Sequence, residues 1–206
     1  MKTLLAGYQR FRAKDWPRQR SAFETLAQNG QSPKAMVVAC IDSRVDPAMI
    51  FDAAPGQILT VRNVANLVPP YEPDHAYHGT SAALEFGVTV LEVPHLMVLG
   101  HGLCGGVQAL LTNVPGAVPG KAQEFVAPWM SIANSARDVA LRASPNERQQ
   151  LCEYEVVKVS LANLMTFPWV AERVAAGKLQ LHGAWFNIGT GALMILQPNG
   201  SFAPPE

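Results

Sequence analysis

Ala35-Met36-Val37-Val38-Ala39-Cys40-Ile41 is a short, almost wholly apolar run, the pattern of a strand buried on both faces of a parallel sheet. Two runs of the same kind follow, Ile58 to Val61 and Leu96 to Leu99. Between them, Ala82, Ala83, Phe86, Val90 and Leu91 recur at helical spacing within Thr80 to Leu91, so the order is strand, helix, strand. Gly105-Gly106 then opens a helical pattern through Leu110 and Leu111 directly after the third strand. Ala122 to Ala176 reads as mainly helical, with breaks near Pro145 and Phe167-Pro168. Leu179 to Ile188 and Ala192 to Leu196, separated by Gly189-Thr190-Gly191, read as a terminal hairpin. Together these predict an α/β fold: a mostly parallel central sheet with an antiparallel edge strand and helices on both faces. Residues 1–30 carry Leu4, Leu5, Tyr8, Phe11, Trp16, Phe23 and Leu26 among charges, the pattern of an amphipathic helical arm broken near Pro17. The expected organisation is one domain over 1–206, with the arm at 1–30 and the α/β core at 31–206.

Composition narrows the function. With 49% hydrophobic and 16% charged residues the chain is that of an ordinary globular protein. Lys plus Arg equals Asp plus Glu at 16 each, so there is no net field to attract nucleic acid or an anionic membrane. No apolar stretch approaches the ~20 residues of a membrane span, and the short run Leu4 to Gly7 is no signal peptide. A cytoplasmic protein is expected. The three cysteines, Cys40, Cys104 and Cys152, are too few for a disulfide framework, which leaves metal binding or free thiols.

Cys40 lies at the end of the first strand, and His101 and Cys104 just beyond the third. Ligand groups gather outside the carboxyl ends of α/β strands, so residues 61 positions apart in sequence converge there. Two thiolates and an imidazole suit zinc, one ion per chain, and leave the fourth tetrahedral position for water. Each residue alone has a blander reading: a strand cysteine is often core filling, and an isolated His-x-x-Cys is weak. Their conjunction with Asp42-Ser43-Arg44 carries the metal assignment. Asp42 stands two residues from a ligand, where it can orient the bound water or swing in as fourth ligand, and Arg44 keeps it ionised. Cys152, without such company, reads as a structural thiol.

Cys40-Ile41-Asp42-Ser43-Arg44, Arg62-Asn63-Val64-Ala65-Asn66 and His101-Gly102-Leu103-Cys104-Gly105-Gly106, in this order, resemble three motifs of the β-class carbonic anhydrases, and His182 to Gly191 resembles the family's terminal hairpin. The resemblance implies reversible hydration of carbon dioxide to bicarbonate and a proton by a zinc-bound hydroxide. It assigns Cys40, His101 and Cys104 to the metal, and Asp42 with Arg44 to a catalytic dyad. Gln31 falls where plant-like, open-site members carry a glutamine that reaches substrate across a dimer interface. Val37 stands where closable members have a tryptophan, and this too points to the open form.

Two positions depart from the plant-like pattern: Phe86 replaces an active-site tyrosine and Leu59 a phenylalanine of the apolar wall. Leu59 and Val64 still offer carbon dioxide an aliphatic wall, and the backbone N–H of Gly105 at a helix start is placed to hold bicarbonate. A homodimer or larger oligomer is the expected assembly. No histidine is singled out as a proton shuttle. Hydrolysis of carbon disulfide on the same scaffold, and a structural zinc or bicarbonate-sensing module, remain as alternatives.

Overall fold

The structure, a computed structural model, describes residues 1–74, 76–112 and 124–205. Six strands form one sheet in the order β2-β1-β3-β4-β5-β6: β1 (Ala35–Cys40), β2 (Ile58–Asn63), β3 (His95–His101), β4 (Gln180–Phe186), β5 (Leu193–Leu196) and β6 (Phe202–Ala203). β2, β1, β3 and β4 pair in parallel, β5 runs antiparallel to β4, and β6 pairs antiparallel to β5. The three apolar runs are β1, β2 and β3, the last two extending further than the runs themselves. From β1 the chain steps to β2 on one side, then returns to place β3 on the other. The strand order therefore reverses between β1 and β3, where ligands collect in open α/β sheets.

Alternation along β1 splits the core. Met36 and Val38 point into a cluster with Leu84, Val88, Val157, Leu164, Phe167 and Val170, beneath α4 (Gly79–Glu85), α8 (Arg148–Leu164) and α9 (Pro168–Ala175). Val37 and Ala39 point the other way, towards Leu99 and Ala184, where Ile50 of the short α3 (Pro47–Ile50) and Phe51 pack. Helices thus lie on both faces, unequally. Gly100 of β3 has no room for a side chain, since an added Cβ would meet Val157 Cγ2 of α8 at 2.7 Å.

A third cluster lies beyond the strand ends. Here α5 (Gly105–Thr112), α6 (Val126–Ser131) and α7 (Asn134–Ala140) pack against the first half of α8. The start of the expected 122–176 helical stretch, Ala122 and Gln123, lies outside the described residues.

The arm differs from expectation at Pro17. Helix α1 (Lys2–Arg10) continues through a wider π-type turn, Phe11–Asp15, into α2 (Trp16–Asn29). The Trp16 N–H bonds back to the Phe11 carbonyl, and Pro17 sits in the first turn of α2. Proline has no N–H to donate, and the wider turn just before it lets the helix pass that missing donor without a break. No residue of α1, the turn or α2 is buried, although Phe11, Trp16 and Phe23 cluster with ring centroids 5.2–6.4 Å apart. Leu26 ties the arm to the body against Gly56.

The terminal hairpin forms as expected between β4 and β5. The β6 pairing is an addition that the sequence pattern did not signal.

Candidate metal centre

β1 and β3 run side by side with Ala39 opposite Leu99, which brings Cys40 at the end of one beside His101 at the end of the other. After His101 the chain turns through Gly102 and Leu103, the latter at φ +57°, and Cys104 directly precedes α5. The turn is stiffened from outside: a Cβ on Gly102 would meet Trp185 Cζ2 at 3.1 Å. The ligand atoms of Cys40, His101 and Cys104 all lie within 4.8 Å of one another, and all three residues are buried.

His101 Nδ1 is 2.9 Å from the Gly102 carbonyl. An N–H on Nδ1 donating to that oxygen leaves the lone pair on Nε2. That Nε2 is buried without a hydrogen-bond partner among the described residues. A buried, unsatisfied acceptor costs free energy unless something occupies it, and here it faces two sulfurs. A tetrahedral ion with one open position fits this donor set.

The two thiols are shifted in opposite directions. The Cys104 S–H hydrogen-bonds Cys40 and, outweighing the opposing effect of burial, shifts the Cys40 thiol downward. Facing Cys40, and buried itself, Cys104 is shifted up. Burial works against charge on His101, yet the adjoining Cys40 and the Gly102 carbonyl leave its net shift upward. A cation at this point would be met by negative charge. Cys152 is different: burial pushes it up to about 12, as suits a structural thiol.

Asp42 and Arg44 form a closed fork. Arg44 Nε donates to Asp42 Oδ1 at 2.9 Å and Nη2 to Oδ2 at 2.7 Å, while the Arg44 backbone N–H donates to Oδ1 at 3.0 Å. Nη2 also reaches the Leu103 carbonyl at 3.3 Å, tying the dyad to the His101–Cys104 turn. The guanidinium holds the Asp42 carboxyl well below its ordinary range, against the effect of burial. Both carboxylate oxygens are engaged, so the dyad stands beside the Cys-His-Cys cluster with Asp42 turned to Arg44.

Two residues that the sequence did not single out hold this frame. Arg62 donates from Nε to the Cys40 carbonyl at 3.0 Å, from Nη2 to the Asp42 carbonyl at 2.5 Å and from Nη1 to Asp46 at 3.2 Å. Glu153, buried in α8, accepts from the Cys104 backbone N–H at 3.1 Å, Gln149 Nε2 at 2.7 Å and Trp185 Nε1 at 3.0 Å. Its signal was available: an acid on the buried stripe of α8 between Cys152 and Val156.

The remaining expected site residues divide. Val64 and Gly105 lie at the metal end. Val64 is held by Trp129 Nε1 donating to its carbonyl at 2.8 Å, and with Ile41, Asn63 and Trp129 it lines a cleft of about 760 Å³. Gly105 opens α5 immediately after Cys104. Leu59 pairs with Met36, four residues before Cys40, or about 13 Å back along the strand, and packs near Gly87. Phe86, half exposed, precedes Gly87. Gln31 is exposed before β1 begins. These three are not brought to their own chain's Cys-His-Cys cluster.

A doubly wound sheet with a buried Cys-His-Cys centre at its switch point, flanked by an Asp-Arg fork, defines an α/β protein with a site that could hold a metal ion. Residues 35–193 match the carbonic anhydrase family, and the chain belongs to it, in the beta class. It is 39% identical over 169 residues to beta carbonic anhydrase 5, chloroplastic, of Arabidopsis thaliana, covering 80% of this chain and 54% of that protein. The chain thus spans about half the length of that relative. The solved β-carbonic anhydrase CcaA superposes with a TM-score of 0.90 at 30% identity, over 100% of this chain and 92% of that one. A tetrameric β-carbonic anhydrase of the filamentous ascomycete Sordaria macrospora gives 0.81 at 26% identity, over 98% of each.

Proposed function

We propose that this chain is a zinc-dependent carbonic anhydrase that interconverts carbon dioxide and bicarbonate. The observation that carries this is the buried Nε2 of His101, without a hydrogen-bond partner among the described residues, facing two cysteine sulfurs beside Asp42. Cys40, His101 and Cys104 would hold one zinc ion, whose chemistry when bound is to acidify a coordinated water to near neutrality, as established for carbonic anhydrase with a three-histidine site. Asp42, kept ionised by Arg44, accepts a hydrogen bond from the nucleophilic water and orients it. Val64 and Ile41 present an apolar wall that suits carbon dioxide. The Gly105 N–H, at the positive end of α5, offers a donor to the developing bicarbonate.

A homodimer or higher oligomer belongs to this reading. Its supports are the arm without a buried residue, the tetrameric relative and the placement of Gln31, Leu59 and Phe86 away from their own chain's centre. In an oligomer these three serve a neighbouring chain's site. The open, plant-like form is supported by the engagement of both Asp42 oxygens with Arg44. A cytoplasmic setting accords with three free cysteines.

The test is stopped-flow carbon dioxide hydration by zinc-loaded protein, with sulfide release from carbon disulfide assayed beside it. Hydration that falls in Asp42→Asn while zinc content holds is expected. Zinc-loaded protein without hydration would sink the proposal, and sulfide release in its place would favour the carbon disulfide reading.

A further inference from the structure

At the opposite end of β3 from the metal centre, His95 Nδ1 lies 3.2 Å from His182 Nε2 of β4. The sheet register explains the meeting: Met97 is paired with His182, and His95, two residues before Met97, projects from the same face. The pair borders a cavity of about 340 Å³ walled by Val37, Phe51, Ile58 and Met97. His95 is exposed and His182 half-buried, so one side of the pair is open to water. Six residues of strand, about 20 Å, separate His95 from His101.

We infer that His95 and His182 form a second metal site, for a divalent ion of the kind that binds imidazole, zinc or copper(II), separate from the Cys-His-Cys centre. Two nitrogens each about 2.05 Å from a tetrahedral ion stand about 3.3 Å apart, so the pair already has the spacing of one edge of that tetrahedron. Uptake needs no net loss of a proton from two neutral rings: the ring that donates in the pair moves its N–H to its other nitrogen through water, which frees both facing lone pairs for the ion; water completes the shell from the open side. Burial, followed by the proximity of His95, lowers the proton affinity of His182 and keeps its lone pair available at neutral pH. An anion is a poorer occupant, because holding it would require two protonated rings at the same spacing. The apolar wall offers no carboxylate, and affinity rests on the two nitrogens.

The experiment is metal stoichiometry of the full chain at equilibrium with micromolar free zinc, in wild type, His95→Gln and His182→Gln. Two zinc ions per wild-type chain and one in each variant are expected. Cobalt(II) gives a second readout: the thiolate-to-cobalt absorption of the Cys-His-Cys centre persists in both variants, while the additional cobalt bound by wild type adds none. A single zinc in wild type, or two retained in both variants, overturns the inference and shows a plain hydrogen-bonded histidine pair. Neither outcome bears on hydration, which is measured on the first zinc.

Discussion

Arg44 holds both oxygens of Asp42 from one guanidinium, at 2.9 and 2.7 Å, and the same nitrogen that bonds Oδ2 also reaches the carbonyl of Leu103. The dyad is thus joined to the turn that presents His101 and Cys104, two of the three residues of the candidate metal centre. Arg44→Ala is expected to retain zinc and lower the hydration rate about 10–100-fold, the usual cost of removing a partner outside the ligand shell. Stopped-flow assay with metal analysis checks this.

The same pair sets a pH dependence of stability. The folded pKa of Asp42 is depressed, so its stabilising contribution is present above the unfolded value, near ~3.9, and is lost as pH falls through the folded one. The stability gap between wild type and Arg44→Ala should be level above about pH 5 and shrink below about pH 4. Urea unfolding at several pH values measures it. With the Arg44 side chain 49% exposed, the gap is reduced by solvent screening.

Glu153→Gln should destabilise by about 1–3 kcal/mol. Three donors converge on the wild-type carboxylate, whereas an amide has one acceptor oxygen and turns its NH2 towards a donor. Zinc affinity should fall as well, since the Cys104 backbone loses its anchor. Denaturant titration and chelator competition give the two numbers.

Removing the metal should cost stability by mass action. At free zinc a thousandfold above its dissociation constant, the folded state gains about 4.1 kcal/mol over the stripped protein. Cys104→Ser should lose most of that gain. Thermal unfolding with and without added zinc reads the difference, and equal midpoints for stripped and loaded wild type would contradict the fit of the site to zinc.

Gly100→Ala should destabilise by about 1–3 kcal/mol through overpacking, since its Cβ would lie 2.7 Å from Val157. Adding Val157→Ala should recover part of that loss, by making room for the new methyl. A double-mutant cycle in denaturant tests the coupling.

Much of the site was legible because its residues sit at the ends of apolar runs. Cys40 lies next to the end of one run, His101 and Cys104 follow another, and charge directly after a buried strand marked Asp42 and Arg44. Glu153 reaches Cys104 from 49 residues away, and nothing local to either residue announces the contact. Arg62 was visible only as part of a motif, because its work is done on carbonyl oxygens, which every residue carries. Pro17 shows the opposite error: proline ends many helices, but here a widened turn just before it absorbs the missing donor. The two-residue β6 is too short for any periodicity, and its place is set by Phe202 stacking on Tyr154 at 4.2 Å.

The pairing of β1 with β3 has a consequence for folding. Because side chains alternate along a strand, sliding β1 by one residue against β3 would turn the Cys40 sulfur to the other face of the sheet, out of reach of His101 and Cys104. A chain in the wrong alignment could then present only two of its three ligands. Zinc supplied during refolding would act as a proofreader, retained by correctly aligned chains and shed by the others.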